Sequence, residues 1–258
     1  MRYFLIFVLF LTNSLLFSQI TDDFSDGDFT NSPTWTGTDV DFTVNGAFEL
    51  QLNNSVAATS YLSTPHGLST LDNKEWNFLT RQTFSPSSSN FGRVYLTSDV
   101  ADLTAVQNGF YIQLGEAGAT DAVRLFKMVS GVSTELLAGP VGQIANSFAV
   151  GIRVVRDNSA NWTLMIDATG GTSYTSAGTV NEPASLIGTH FGAMQVYTGS
   201  NANKFFYDNI YVGDEIVDVT PPVLVSATAI NANLIDVLFD EPVDQVTSET
   251  LGNYDIQP

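Results

Sequence analysis

Four aspartates, Asp22, Asp23, Asp26 and Asp28, fall within seven residues around Gly27. Oxygen-rich loops of this kind can wrap calcium. The spacing is not that of an EF-hand, because Phe24 occupies the third loop position and Pro33 stands where the bidentate glutamate should be. If the first and last strands of a sandwich pair, Asp208 comes close to this loop. It alternates with Phe206, Ile210 and Val212. That places it inward, where a charge must be paired or bound. Asp22, Asp26, Asp28 and Asp208 are therefore the candidate calcium ligands. The alternatives are a solvated turn for the loop and a hydrogen-bonded Asp-Asn bulge for Asp208.

A second set of residues could recognise sugars, since aromatic rings stack on sugar faces while polar neighbours hold hydroxyls. Arg93, Tyr95, Tyr111, Gln113 and Arg124 lie in strongly alternating segments, and Tyr111 and Gln113 stand opposite the apolar row 110, 112 and 114. On an open concave face they make a groove. Under a covering loop the tyrosines are ordinary packing.

Covalent and acid–base chemistry finds little support. The chain has no cysteine, which removes disulfides, thiolate metal sites and a thiol nucleophile. Its two histidines, His66 and His190, are far apart in sequence and read as surface or edge residues. There is no Glu-x-Asp-x-x-Glu spacing, nucleophile elbow, phosphate loop or dinucleotide fingerprint. The expectation is a protein that is not an enzyme within these 258 residues.

The elements that position these residues are almost all strands. Phe110–Leu114, Trp162–Asp167 and Val150–Arg156 alternate apolar and polar residues, the last with 150, 152 and 154 on one face and both arginines expected on the other. Gly-, Asn-, Asp- and Ser-rich turns such as Asn45-Gly46 and Asp157-Asn158-Ser159 separate them. Evenly spaced strands over about 190 residues suit one large two-sheet sandwich. Thr220-Pro221-Pro222 marks a stiff linker. From Asp214 to Pro258 there are nine acidic residues and no Lys or Arg.

Arg2 followed by the apolar run Tyr3–Leu11, a polar break at Thr12-Asn13-Ser14 and a small residue at Ser18 reads as a cleaved export leader. The run is too short for the roughly 20 residues of a bilayer span. Net charge is −18; removing Arg2 leaves 8 basic against 27 acidic residues, or −19. Such a chain repels phosphate backbones and anionic lipid. No nucleic-acid partner and no membrane span after leader cleavage are expected.

Asp22–Phe29, Gly109–Gly115, Asp121–Leu125 and Phe206–Val212 resemble N-terminal domains of secreted Bacteroidetes surface proteins, which are similar to concanavalin-like or laminin-G-like jelly rolls. Thr220–Ala227 with Val237–Asp244 and Asn253-Tyr254 resembles the bacterial Ig-like repeat named for the S-layer protein SbsA. In similar full-length proteins these modules lead to lamin-tail domains and a type IX sorting signal.

The expected fold class is all-β: an antiparallel two-sheet jelly-roll sandwich plus the start of an Ig-like β-sandwich. The expected organisation is a signal peptide over 1–18, a sandwich over 19–213, a linker over 214–221 and an incomplete Ig-like domain over 222–258. The expected role is a non-catalytic adhesion or glycan-binding module of a secreted or outer-surface protein. Its partner would be an extracellular glycan or cell-surface polymer. The alternatives are an accessory region of an exported hydrolase whose catalytic domain lies further along, or a structural spacer.

Overall fold

The computed structural model describes residues 19–118, 120–231, 233–241, 243, 248–250 and 252. The leader expected over 1–18 lies outside the described residues. In chain order the strands are β1 (Ile20–Asp22), β2 (Thr36–Gly37), β3 (Phe42–Val44), β4 (Leu50–Leu52), β5 (Ala58–Pro65) and β6 (Lys74–Gln82). Then come β7 (Phe91–Ser98), β8 (Gly109–Leu114), β9 (Val123–Val129), β10 (Val132–Ala138), β11 (Phe148–Arg156) and β12 (Asn161–Asp167). β13 (Thr175–Asn181), β14 (His190–Tyr197), β15 (Phe205–Asp214), β16 (Leu224–Asn231) and β17 (Leu234–Phe239) follow. The chain divides into two compact units, Met1–Glu215 and Ile216–Pro258.

The first unit is a sandwich of two antiparallel sheets. One runs β13-β12-β11-β6-β15-β4-β3, and the other runs β10-β9-β8-β7-β14-β5-β2. β6 lines one edge of β15, while β4 and β1 share the other, β4 against Phe206 and Tyr207 and β1 against Ile210 to Val212. The first and last strands of the sandwich are thus neighbours.

Period-two patterning sets what lies between the sheets. Trp76 and Phe78 on β6, Ile152 and Val154 on β11, and Trp162 and Leu164 on β12 turn inward from the first sheet. Val94, Ile112, Leu125 and Ala193 meet them from the second. Trp162 stacks on Trp76 at 5.4 Å between ring centroids and lies 4.3 Å from Phe110 of the facing sheet. The Trp76 indole N–H donates to the Leu96 carbonyl at 2.7 Å, so this large ring is buried with its polar atom satisfied.

Arg156 departs from the expectation that both arginines of β11 face away from the core. It shares parity with Val150, Ile152 and Val154, so its guanidinium turns to the inner side at the strand's end. It is 3% exposed, bonded to Asp72 and 5.8 Å from the Trp162 ring. Arg153, of opposite parity, is the outward one.

The second unit contains the antiparallel hairpin β16–β17, with Leu224 opposite Phe239. Asp240 closes its open end, its carboxylate accepting from the Val223 N–H at 2.7 Å. Leu224, Val225, Ile230, Leu234 and Leu238 are all more than half exposed, so this hairpin has hydrogen bonds but no core of its own.

Candidate functional site

The five residues expected to read a ligand come together on the outer face of the second sheet. Tyr95 of β7 lies opposite Tyr111 of β8, which lies opposite Phe126 of β9. In the adjacent row Arg93 faces Gln113, and Gln113 faces Arg124. Their alternation partners Val94, Ile112 and Leu125 point into the core, which is what sends this row outward.

The tyrosines are not stacking platforms, contrary to the sequence expectation. Tyr95 is 2% and Tyr111 1% exposed. With Leu103, Met128 and Met194 they form a second small apolar cluster on this outer face. The Tyr111 ring is stacked on Phe126 at 5.1 Å and lies 5.3 Å from Tyr95, while the Arg93 guanidinium sits 4.8 Å from its centroid. Its hydroxyl donates to Ser133 Oγ at 2.9 Å. Leu103 comes from the β7–β8 connection, which folds back over this end of the sheet. It seats where Gly192 of β14 has no side chain; a Cβ there would stand 2.9 Å from a Leu103 methyl.

The other end of the face is more open. Phe91 and Phe126 are only partly buried against the cluster; Tyr61 is partly buried as well, but its hydroxyl bonds Asp102 of the β7–β8 connection. Phe91 and Phe126 lie two residues from Arg93 and Arg124 on their strands, so plain alternation could have added both to the sugar-facing set. Tyr61 lies opposite Met194 on β14, which in turn lies opposite Arg93, a placement that required the strand order. Gln113 accepts from Arg93 Nε at 3.1 Å and donates to the Gly115 carbonyl at 3.0 Å, which fixes its orientation. Arg124 is held by Glu116 at 2.7 Å and by both oxygens of Glu135 at 3.1 Å. Its charge is already neutralised.

The aspartates do not converge as expected for calcium. Asp22 accepts from the Phe24 N–H at 2.9 Å and from the Trp35 indole at 2.8 Å. Burial lifts its carboxyl to about 6, against those two hydrogen bonds. Asp26 caps the Asp28 N–H at 2.9 Å. Asp28 is held by Thr30 and Asn31 and sits at about 2, drawn down first by the Thr30 N–H.

Asp208 points outward rather than inward. A bulge between Asp208 and Tyr211 shifts the register, so Phe205, Tyr207, Ile210 and Val212 line the core. Asn209 takes the left-handed conformation at φ 49°, and its N–H donates to Asp208 at 2.7 Å. This is the Asp-Asn bulge alternative. Among the described residues no three carboxylates or imidazoles gather where an ion could sit. The donor set does not fit the calcium site expected from these four residues, because the carboxylates cap local turns.

The two histidines, distant in sequence, are neighbours in space. β5 and β14 pair so that His190 lies opposite Pro65, and the His66 N–H donates to the Thr189 carbonyl at 2.9 Å. His66 is 8% exposed rather than on the surface. Burial, with His190 adding to it, pulls its imidazole down to about 4.

No family model and no curated protein matches the sequence. Solved structures do match in fold, among them carbohydrate recognition domains. The chain is similar to the carbohydrate recognition domain of Emp47p at TM-score 0.56 and 11% identity, over 77% of this chain and 96% of that one. It is similar to the exoplasmic/lumenal domain of VIP36 in its Ca2+/Man-bound form at TM-score 0.54 and 12% identity, over 88% and 98%. The metal-free carbohydrate recognition domain of Emp46p matches at TM-score 0.53 and 10% identity, over 77% and 97%. The fold is thus an antiparallel jelly-roll sandwich: the two sheets are those expected from the strand pattern, and the jelly roll is the one the resemblance implied.

Proposed function

We propose that the sandwich is a non-catalytic glycan-binding module of an exported or surface protein. It takes its ligand on the open part of the outer face of the second sheet. The observation that carries this reading is the grouping of the partly buried rings Phe91 and Phe126 with the polar pair Arg93 and Gln113. An aromatic ring buries apolar area against a sugar at little entropic cost, having few rotamers to freeze. The sharing of fold with domains that recognise carbohydrate supports it. The acidic tail over 222–258 reads as the Ig-like segment that follows the module.

A structural spacer is the second reading, and the burial of Tyr95 and Tyr111 favours it. The two part on a glycan array probed with the chain presented multivalently, so that avidity offsets a single-site affinity on the order of micromolar to millimolar. Binding to a defined glycan, lost in Phe91→Ala and Phe126→Ala chains that melt like the parent, is the result expected. A blank array under conditions where a control lectin binds leaves the spacer.

A further inference from the structure

Carboxylates outnumber basic residues three to one in this chain, 27 against 9. Among the described residues almost every cation has found one. Lys74 is bridged to Asp214, Arg81 to Glu49, Arg124 to Glu116 and Glu135, Lys127 to Glu182, Arg153 to Glu75 and Glu215, and Arg156 to Asp72. Two basic side chains have no carboxylate partner. Lys204 sits in the turn before β15 and donates only to the Asn201 side chain. Arg93 lies on the outer face of the second sheet.

The surroundings of Arg93 are neutral and shaped. Its Nε donates to Gln113 Oε1, its guanidinium carbon lies 4.8 Å from the Tyr111 ring and 5.4 Å from the Phe91 ring, and the Tyr95 hydroxyl lies against it. The arginine is thus held by groups that orient it without neutralising it. A planar guanidinium fixed at one end and stacked on rings is preorganised for a two-point acceptor. In a chain of net charge −18, a cation left without a counter-ion beside partly buried aromatic rings is complementary to an anionic group on a ring-shaped ligand.

We propose that Arg93 binds the carboxylate of an acidic sugar, so that the ligand is a glycan containing uronic-acid residues, with the sugar ring against Phe91. The inference rests on the glycan-binding reading and names the ligand class within it. Carboxylate is the group because its two oxygens match the arginine fork. Arg124, in the next strand but one, shows what the alternative looks like: its fork is closed by two glutamates of the chain itself.

The test uses the full chain and a panel of uronate oligosaccharides (galacturonate, glucuronate, and the mannuronate and guluronate of alginate). Each is set against its carboxyl-reduced counterpart, which keeps the stereochemistry and removes the charge. At least one acid should bind about ten-fold or more tightly than its reduced form, the size expected for a charge-assisted pair. Arg93→Met should erase that preference, Arg93→Lys should retain part of it, and Lys204→Met should leave it unchanged. Melting curves for each variant separate lost binding from lost fold, and Arg93→Lys keeps the test open should Arg93→Met unfold.

Equal binding of acid and reduced forms overturns the inference, as does an Arg93→Met chain that keeps the preference. A sulfated polymer preferred over every carboxylated one overturns the carboxylate assignment. If neutral glycans bind on the array while no uronate does, the inference fails and the glycan-binding reading stands. If nothing binds, both fail.

Discussion

The sandwich has two outer faces, built from the same alternation and put to different ends. On the outer face of the first sheet, the arginines are paired with carboxylates of the chain. Arg81 makes a fork-like pair with Glu49 while its guanidinium lies 3.6 Å from the Phe206 ring, and Arg153 holds Glu75, which is 2% exposed. Tyr174 reaches over from the β12–β13 connection to donate to Asn77 at 2.5 Å. On the outer face of the second sheet the rings cluster, one end is capped by Leu103, and Arg93 is left to neutral neighbours. A closed set of pairs holds a surface in shape. An open one leaves a demand that a ligand can meet.

The largest effect separates packing from recognition on the second sheet. Tyr111→Ala removes a buried ring and should lower unfolding free energy by about 3–5 kcal/mol in a denaturant titration. Phe91→Ala, at a partly buried position, should cost about 1 kcal/mol. A Tyr111→Ala chain as stable as the parent would show that the cluster is a removable cover, and the contrast between the two ends of the face would collapse.

The next test sets one face against the other. Arg153→Met takes away the guanidinium that holds the buried Glu75 and should cost about 2 kcal/mol, a paired-charge loss discounted for the partial exposure of Arg153. Arg93→Met, with no carboxylate to strand, should cost less than about 1 kcal/mol. Equal costs would mean that Arg93 carries an internal role like that of Arg153.

Much of this difference was legible in the strand patterning, and part was not. Alternation set Tyr111 and Gln113 opposite the apolar row of their strand, because period two is a local property; the strand register aligns Arg93, Tyr95 and Arg124 with them. Alternation could not show that the β7–β8 connection folds back to bury the tyrosines, since Leu103 packs over Gly192, on a strand some ninety residues away. It also misplaced Asp208, because a single extra residue at the Asn209 bulge inverts the facing of everything before it. The adjacency of His66 and His190 needed the pairing of β5 with β14, which no local pattern records. The ion-pair census is equally non-local: which cation lacks a partner is decided by cross-strand neighbours.

A third measurement compares one titrating group from each sheet. Asp22, on β1, has a folded value of about 6 against an ordinary 3.8, so between these the native state holds more protons than the unfolded one. Its contribution to stability falls as pH rises from about 4 to about 6. His66, just past β5, sits at about 4 against an ordinary 6.5, so the unfolded state holds more protons and its contribution rises across the same window. The two slopes oppose each other and should leave the parent nearly flat. Asp22→Asn should unmask a rise with pH and His66→Gln a fall, each about 1 kcal/mol after allowance for partial exposure. Variants as flat as the parent would remove both groups from the pH response.

The smallest expected effect is that of calcium. With Asp22, Asp26, Asp28 and Asp208 capping local turns, millimolar calcium should leave the melting temperature unchanged within error. A rise that disappears in Asp208→Ala would show that these carboxylates rearrange to share an ion.

The pairing of β1 with β15 fixes an order of events. Ile20 is among the earliest residues of the sandwich to leave the ribosome, yet its strand partner, Val212, is made some 190 residues later. β6 waits on both sides as well, for β11 and then for β15. The nascent sheet thus carries unsatisfied edges until β15 is made. Closure comes only with the last strand, and such long-range pairing makes for slow folding. A sandwich of this topology stays threadable until its last strand is made, and then locks.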